Sequence, residues 1–432
     1  MNTFLTIKKF VFAAFIAALF ALPLAAQDWK TVIDKAFDAY KAKKYDESFE
    51  AATQAWNLAR QSDQKYLAAS VRALAVKDGF LNRGWTLTGS EYAFKYDPAT
   101  SEKIRAGIAD HLFVLDYLER DPAATAEQKK LKNYSAFDLG LFYVNLADRA
   151  THDRRDYADA EKYLRLAASM GIASGDPTYN LPRVLAAQWK FDDARREIVR
   201  QFAAGKDYYY VASKMIGDFD FVGEFYLGEA VLLTEASRLK AAGKSLTDLG
   251  KAMETHQTNL QNIAKFTDSA TVYELNRQGA LLYLMKQPEK AAAVLERAAQ
   301  TGENPTALRW LALVRLQQQN YPAADALAAK ILATNPNDTI GLTARGLVAA
   351  TKNDFARAEK DLNQAISLFP EAALFANAYK ILAFVYQKQN KTAEMNDTLA
   401  KQKTLEALYQ EVKNSKPKSF SDGLLDYVPG KP

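Results

Sequence analysis

A spacing of about 34 residues recurs through the last third of this 432-residue chain. Small residues stand at nearly equal intervals, at Gly279, Ala312 and Gly346. Each is followed 12 residues later by an alanine, and these alanines are Ala291, Ala324 and Ala358. A fixed period of this length predicts stacked copies of one small unit, each of which buries its apolar face against the next.

Other residues repeat in the same phase. A leucine precedes each small residue by four positions, at Leu275, Leu308 and Leu342. A ring residue precedes each alanine by three positions, at Pro288, Tyr321 and Phe355. Leu275, Gly279 and Leu282 share one face of a helix, and the small side chain at Gly279 lets a second helix approach closely. Each unit is therefore predicted to be a pair of packed helices.

These units resemble tetratricopeptide repeats, a family of helix-turn-helix units, over about residues 272–370. Partial copies occur upstream, where Tyr45 and Ser48 repeat the spacing of ring and small residue. Tyr157 and Ala160 recur one period later as Phe191 and Ala194. The resemblance implies an all-α fold, a right-handed α-solenoid of helical hairpins, and no sheet is expected because no period-2 alternation is sustained.

The predicted organisation follows from where the repeat signature is present, weak or missing. Residues 61–130 and 205–270 carry no signature, although apolar residues at steps of three and four predict helices from Phe221 to Ala242 and from Leu246 to Phe266. The predicted segments are a signal peptide (1–26), a hairpin (27–60), an irregular helical segment (61–130), divergent hairpins (131–204), a further hairpin (205–270), the C-terminal array (271–413) and a flexible tail (414–432).

The first 26 residues have the layout of a secretory signal peptide. Lys8 and Lys9 precede an apolar run from Phe10 to Leu24, and Ala25-Ala26 provides small residues at the expected cleavage site. An uncleaved membrane anchor is the alternative, but the run is shorter than the roughly 20 residues that a spanning helix needs. We therefore expect an exported protein, periplasmic or secreted, that resembles bacterial repeat proteins of this type and has no membrane span after cleavage.

Composition and motifs exclude several functional classes. The chain contains no cysteine, which rules out disulfides and thiolate metal sites. Removal of a leader with two lysines and no acid lowers the net charge from +5 to +3, which gives no support for nucleic-acid binding. The three histidines lie far apart in sequence, and Gly243-Lys244-Ser245 lacks the earlier glycine of a phosphate loop. We predict no cofactor, no metal and no enzymatic activity.

The resemblance also implies a binding site, because the first helices of such repeats line a concave groove that holds a peptide or a helix. By position, the expected groove residues are Tyr273, Asn276, Tyr283, Arg309, Leu316, Thr343 and Leu347. Asn276, Tyr283 and Arg309 are expected to be exposed and to matter more for partner binding than for folding; the alternative for Tyr273 and Tyr283 is partial burial against the next repeat. The positions of the carboxylate clamp of chaperone-binding members are occupied by Ala280, Trp310, Ile340 and Ala344, so that clamp is absent.

Two function classes remain open. The first is an exported scaffold that binds a protein or peptide of the cell envelope through its groove. The second is a glycan-binding protein or a cell-wall-active enzyme on the same helical frame, which acids converging on a deep pocket would favour. The aromatic stretch 208–226 is either core packing or an exposed patch for a partner or glycan. The sequence does not identify the partner or the oligomeric state.

Overall fold

The computed structural model of the chain describes residues 27–81, 97–120, 125–171, 177–204, 208–263 and 271–415. Every regular element in these ranges is helical, so the all-α prediction is confirmed. None of the helices in these ranges is long and apolar enough to cross a membrane. The predicted leader, residues 82–96 of the predicted irregular segment and the tail beyond residue 415 lie outside the described residues.

The chain divides into two compact units, one ending at Gln188 and the other beginning at Trp189. The helices of the first unit are α1 (Gln27–Lys41), α2 (Tyr45–Leu58), α3 (Ser62–Val76), α4 (Pro98–Glu119), α5 (Ala126–Leu146), α6 (Arg154–Ser169) and α7 (Leu181–Ala187). Short π-helical turns extend α3 at Lys77–Leu81 and α5 at Ala147–Thr151. Successive helices pack against each other, and Ser48 donates to the Ala36 carbonyl at 2.9 Å where the small residues of the first pair meet.

The second unit contains thirteen helices in the described ranges. They are α8 (Phe191–Ala203), α9 (Tyr208–Val222), α10 (Phe225–Ala241), α11 (Thr247–Ile263), α12 (Val272–Leu284), α13 (Pro288–Ala299), α14 (Pro305–Gln317), α15 (Tyr321–Thr334), α16 (Thr339–Thr351), α17 (Phe355–Leu368), α18 (Pro370–Phe375), α19 (Ala378–Lys388) and α20 (Thr392–Asn414). The pairs α12–α13, α14–α15, α16–α17 and α19–α20 form the C-terminal array of hairpins.

The sequence period is visible in the turns of this array. A residue just after the first helix of three hairpins has a left-handed backbone, at Lys286, Gln319 and Asn353, with φ of 60°, 56° and 61°. In each turn the N–H of the following residue bonds at 2.9 Å to a carbonyl in the last turn of the helix, which ends the helix in a Schellman motif. The tetratricopeptide-like hairpin predicted from the repeat spacing is thereby confirmed.

Close helix packing at the small positions is also confirmed. A Cβ atom placed on Gly279 would lie 2.4 Å from Leu295 Cγ, and one placed on Gly346 would lie 2.8 Å from Leu362 Cγ. The partner of each glycine is thus a leucine of the second helix, one turn after the repeated alanine. Ala291 and Ala358 are themselves fully buried in the same helix pairs.

The two segments without the repeat signature are helical wherever the structure describes them. In 61–130 these parts are α3 with its π-helical turn, α4 and the start of α5, and the connection at 82–96 lies outside the described residues. Residues 205–270 contain three helices where one hairpin was predicted, because residues 208–222 form the additional helix α9, while the two predicted helices are present as α10 and α11. Gly223 has φ of +84°, and the N–H of Glu224 bonds to the Phe219 carbonyl at 2.9 Å, which ends α9. At the other end, α20 ends at Asn414, where the tail was predicted to begin.

The crowding at Gly346 gives a stability prediction. Gly346→Leu should overpack the contact with Leu362 and lower the free energy of unfolding by about 1–3 kcal/mol. The matched control is Gly228→Ala in α10, where the added Cβ would lie 3.4 Å from its nearest neighbour and should be tolerated. Urea unfolding followed by circular dichroism measures both, and equal midpoints for Gly346→Leu and the wild type would contradict the assigned packing.

Candidate functional site

Several of the predicted groove residues of the C-terminal array are covered by another part of the chain. We call the side of α12, α14 and α16 that carries Asn276, Arg309 and Thr343 the first-helix face. Residues 219–229, which comprise the end of α9, the turn at Gly223 and the start of α10, lie against it, and we call them the inner segment. Its contacts with the first-helix face define the candidate site.

Three consecutive main-chain carbonyls of the inner segment accept hydrogen bonds from the first-helix face. Arg277 Nη1 donates to the Phe221 carbonyl, and Asn276 Nδ2 donates to the Val222 carbonyl at 3.3 Å. Trp310 Nε1 donates to the Gly223 carbonyl at 2.8 Å. The last carbonyls of a helix have no partner within the helix, so these side chains satisfy groups that α9 leaves open.

The Glu224 carboxylate is bound at the centre of the face. Its Oε1 accepts hydrogen bonds from Thr306 Oγ1 at 2.7 Å and from Arg309 Nη1 at 2.9 Å. Arg309 also donates through Nε to Asp338 Oδ2 at 2.6 Å, and its guanidinium lies over the Phe191 ring. Burial raises the pKa of Glu224 above its ordinary value, although Arg309 opposes that change. Burial alone would lower the pKa of Arg309, but Asp338 and Glu224 together raise it.

Aromatic side chains enclose this polar centre. The Trp310 ring lies 4.7 Å from Tyr226 and 6.3 Å from Phe225, measured between ring centroids. Tyr226 also stacks on Phe375 at 5.7 Å. Phe219, Phe225 and Tyr226 are all buried, with no more than 4% of any of them exposed, so this part of the aromatic stretch 208–226 is core packing and not an exposed patch. The rings supply the apolar area of the contact.

The structure corrects the expectation that the groove residues are exposed. Tyr273, Asn276, Arg309 and Thr343 are buried. The Phe221 ring lies against Tyr273, Asn276 donates to the Val222 carbonyl, and the Phe191 ring of α8 lies against the Arg309 guanidinium. Burial also raises the pKa of Tyr283 to about 12, and its ring lies 5.5 Å from Trp310. Whether these residues bind an external partner stays a prediction.

Three of the predicted groove residues, Leu316, Thr343 and Leu347, lie apart from the inner segment's polar contacts. Leu316 packs with Ala312, Ala328 and Ile331 between neighbouring helices of the array. Leu347 is half-buried on α16, one turn after Thr343, whose hydroxyl donates to the Thr339 carbonyl at 2.7 Å. The inner segment therefore contacts fewer positions than the predicted set of groove residues.

Sequence reasoning missed three residues that make central contacts, namely Arg277, Thr306 and Trp310. The repeat period alone could have identified two of them, Arg277 and Trp310. Arg277 and Trp310 are one period apart, as are Asn276 and Arg309, so two adjacent stripes of the first helices carry the donors. No sequence signal pointed to the occupant, because residues 205–270 lack the repeat signature.

A second buried cluster fixes the inner segment from its other side. His256 Nδ1 lies 2.8 Å from Asp220 Oδ1, and His256 Nε2 lies 3.3 Å from Glu229 Oε1. Tyr409 donates to the same Glu229 oxygen at 3.0 Å, and Asn259 donates to Asp220 at 3.2 Å. Burial alone would lower the pKa of His256, but Asp220 and Glu229 outweigh it and raise that pKa to about 10. The imidazolium therefore links α11 to both α9 and α10.

The other histidines have different surroundings. His111 is buried in the first unit, where burial lowers its pKa to about 4. His152 ends the π-helical turn after α5 with a left-handed backbone. Among the residues that the structure describes, no group of three or more His, Asp or Glu side chains has an arrangement that could hold a metal ion.

Comparisons with known proteins give similarities to solved helical-repeat structures only. No protein-family model matches the chain, and no curated protein matches it. The APC/C hetero-tetramer Cut9–Hcn1 has a TM-score of 0.40 and 14% identity, over 92% of this chain and 90% of that chain. A double mutant of MamA (RS-1) has a TM-score of 0.28 and 16% identity, over 41% of this chain and 95% of that chain.

The complex of the TPR2AB domain of yeast Sti1 with pHSP90 has a TM-score of 0.22 and 12% identity, over 90% of this chain and 100% of that chain. At these TM-scores the matches assign no function to the chain.

The close approach of Gly223 to the first-helix face gives the first prediction for the site. A Cβ atom on Gly223 would lie 2.9 Å from Arg277 N and from the Asn276 carbonyl carbon, so Gly223→Ala should force the inner segment away from α12. Gly243→Ala is the matched control, because Gly243 has a similar φ of +65° and no atom within 4 Å of the added Cβ. We expect Gly223→Ala to lower the free energy of unfolding in urea by about 1–3 kcal/mol more than Gly243→Ala does. Equal losses for the two variants would mean that Gly223 is not tightly packed against α12.

The raised pKa of His256 predicts a dependence of stability on pH. The folded pKa of about 10 exceeds the unfolded value near 6.5, so the stabilisation is complete below pH of about 6.5 and is lost as the pH rises toward 10. The difference in unfolding free energy between the wild type and His256→Gln should therefore shrink over that window.

His111→Gln is the control for this titration. The pKa of His111 is lowered, so its contribution changes only below pH of about 6.5 and is constant above it. Urea unfolding at several pH values measures both differences. A constant difference for His256→Gln would show that His256 is not charged in the folded protein.

Proposed function

We propose that the chain is an exported protein-binding scaffold whose partner is a protein or peptide of the cell envelope. The observation that carries this proposal is the chemistry of the first-helix face. Asn276, Arg277 and Trp310 bind main-chain carbonyls, and Thr306 and Arg309 bind a carboxylate. Donors arranged in this way suit recognition of a polypeptide segment.

The acids near this face favour binding over catalysis. Glu224 and Asp338 both contact Arg309, and Asp220 and Glu229 both contact His256. Each carboxylate is thus held by a cation of the chain, which leaves these groups in structural roles. The alternative of a cell-wall-active enzyme would require acids converging on an accessible pocket.

Export is supported by the leader sequence. Lys8 and Lys9, the apolar run and Ala25-Ala26 have the spacing of a cleaved signal peptide. A chain without cysteine also folds in the same way in an oxidising or a reducing compartment. The cell envelope is therefore the compartment in which we place the partner.

The proposal is tested by expressing the full chain in a bacterial host and using the mature protein as bait. We expect the mature chain to begin near Gln27, to be released from spheroplasts without detergent, and to retain one envelope protein from the exported fraction. The same bait after thermal unfolding is the control. An intact Met1 in the membrane pellet would contradict export, and equal retention by folded and unfolded bait would contradict the scaffold role.

A further inference from the structure

We propose that the inner segment is an intramolecular ligand of the first-helix face, and that an external partner competes for that face. The partner would present a helix C-terminus followed by glycine, an acidic residue and two aromatic residues. This inference rests on the proposed function and specifies the partner of the same site. Four features of the contact carry it.

The first feature is that the face recognises the end of a helix. The Phe221, Val222 and Gly223 carbonyls are the last three at the end of α9, and each accepts a hydrogen bond from a side chain of the first-helix face. These bonds involve the main chain of the inner segment, so they do not depend on which side chains stand at 221 and 222. Any helix that ends in the same conformation offers the same three acceptors.

The second feature is the requirement for glycine. Other turns of the chain place residues with a Cβ in the left-handed conformation, among them Lys43, Lys286 and Asn353. The backbone angle alone therefore does not require glycine at 223. What requires it is the approach of the turn to α12, where an added Cβ would lie 2.9 Å from backbone atoms of Asn276 and Arg277.

The third feature is the buried charge. Glu224, Arg309 and Asp338 are each no more than 7% exposed, and burial of charged groups carries a desolvation penalty that apolar packing does not. The same cluster would give selectivity in recognition, because a buried cation left without its acid rejects segments that lack one.

The fourth feature is the pair of rings that follows the acid. Phe225 and Tyr226 lie against Trp310, and Tyr226 stacks on Phe375 from α18. Large aromatic side chains supply most of the apolar area in many interfaces. The order of glycine, acid and two rings in the inner segment thus matches the order of its contacts with the first-helix face.

Covalent connection gives the inner segment an advantage over an external ligand. A tethered segment acts at an effective concentration on the order of millimolar, so an external helix of equal intrinsic affinity binds weakly while the inner segment is in place. The apparent affinity of the partner rises with the fraction of molecules whose first-helix face is uncovered. Weakening the inner segment without altering the face should therefore strengthen binding in trans.

The test uses a fluorescent synthetic peptide with the sequence of residues 217–232 and the mature full chain. Binding is measured by fluorescence anisotropy to the wild type, to Gly223→Ala and to the control Gly243→Ala. We expect Gly223→Ala to bind the peptide about tenfold or more tightly than the other two proteins, which should bind alike. A peptide in which Glu224 is replaced by alanine should lose most of this binding.

A second variant keeps the test decisive if Gly223→Ala does not fold. Glu224→Gln keeps the size of the side chain and removes its charge, while Arg309 retains Asp338. We expect this variant to keep the wild-type circular dichroism and to bind the wild-type peptide more tightly than the wild type does. If a folded variant binds the peptide no better than the wild type, the inner segment is a permanent part of the core and the inference is wrong.

Retention of the envelope partner by the wild type and by Glu224→Gln distinguishes a failure of this inference from a failure of the proposed function. If the pull-down partner is retained more strongly by Glu224→Gln than by the wild type, and the peptide displaces it, both proposals hold. If both proteins retain it equally and the peptide has no effect, the scaffold role stands but the partner binds another surface. If neither protein retains a partner, the proposed function fails. The peptide assay with the variants then still tests whether the first-helix face binds the sequence of the inner segment.

Discussion

The buried ion pairs of Arg309 hold the C-terminal unit together. Its guanidinium connects Glu224 of the inner segment to Asp338, and Asp338 also accepts a hydrogen bond from the Gly341 N–H at 2.8 Å as the N-cap of α16. One side chain thus joins the occupant of the face to the start of the next hairpin. Removal of both acids would leave the buried guanidinium without a partner, which is far more costly than the net value of the ion pairs.

The inner segment is fixed from two sides by polar clusters with an aromatic layer between them. Arg309 binds Glu224 on the side of the array, and His256 binds Asp220 and Glu229 on the side of α11. Tyr409 of α20 reaches Glu229 as well, so the last helix of the array also contacts the segment. Polar contacts of this kind set the position of a segment more strictly than apolar packing, because a small displacement leaves buried groups unpaired.

The inner segment covers the first-helix face, and this affects the affinity that an external ligand of that face would have. In an open groove, affinity depends only on the contacts that the ligand makes. In the proposed competition, a ligand of the same face must first displace a tethered segment, so the stability of the inner segment and the affinity for a partner are coupled. Residues such as Asn276 and Arg309 therefore serve folding in the closed chain, even though their positions are those expected for recognition.

The sequence by itself determined the hairpins, because the small residues at Gly279 and Gly346 and the leucines before them recur at the period at which one helix pair packs on the next. It also placed Asn276, Arg309 and Thr343 on one face, since residues one period apart occupy equivalent positions in successive hairpins. Only the tertiary structure decided what covers that face. Its contacts with the inner segment join residues far apart in the chain, such as Arg309 and Glu224, and no local pattern records a contact between a repeat and a segment outside the repeats.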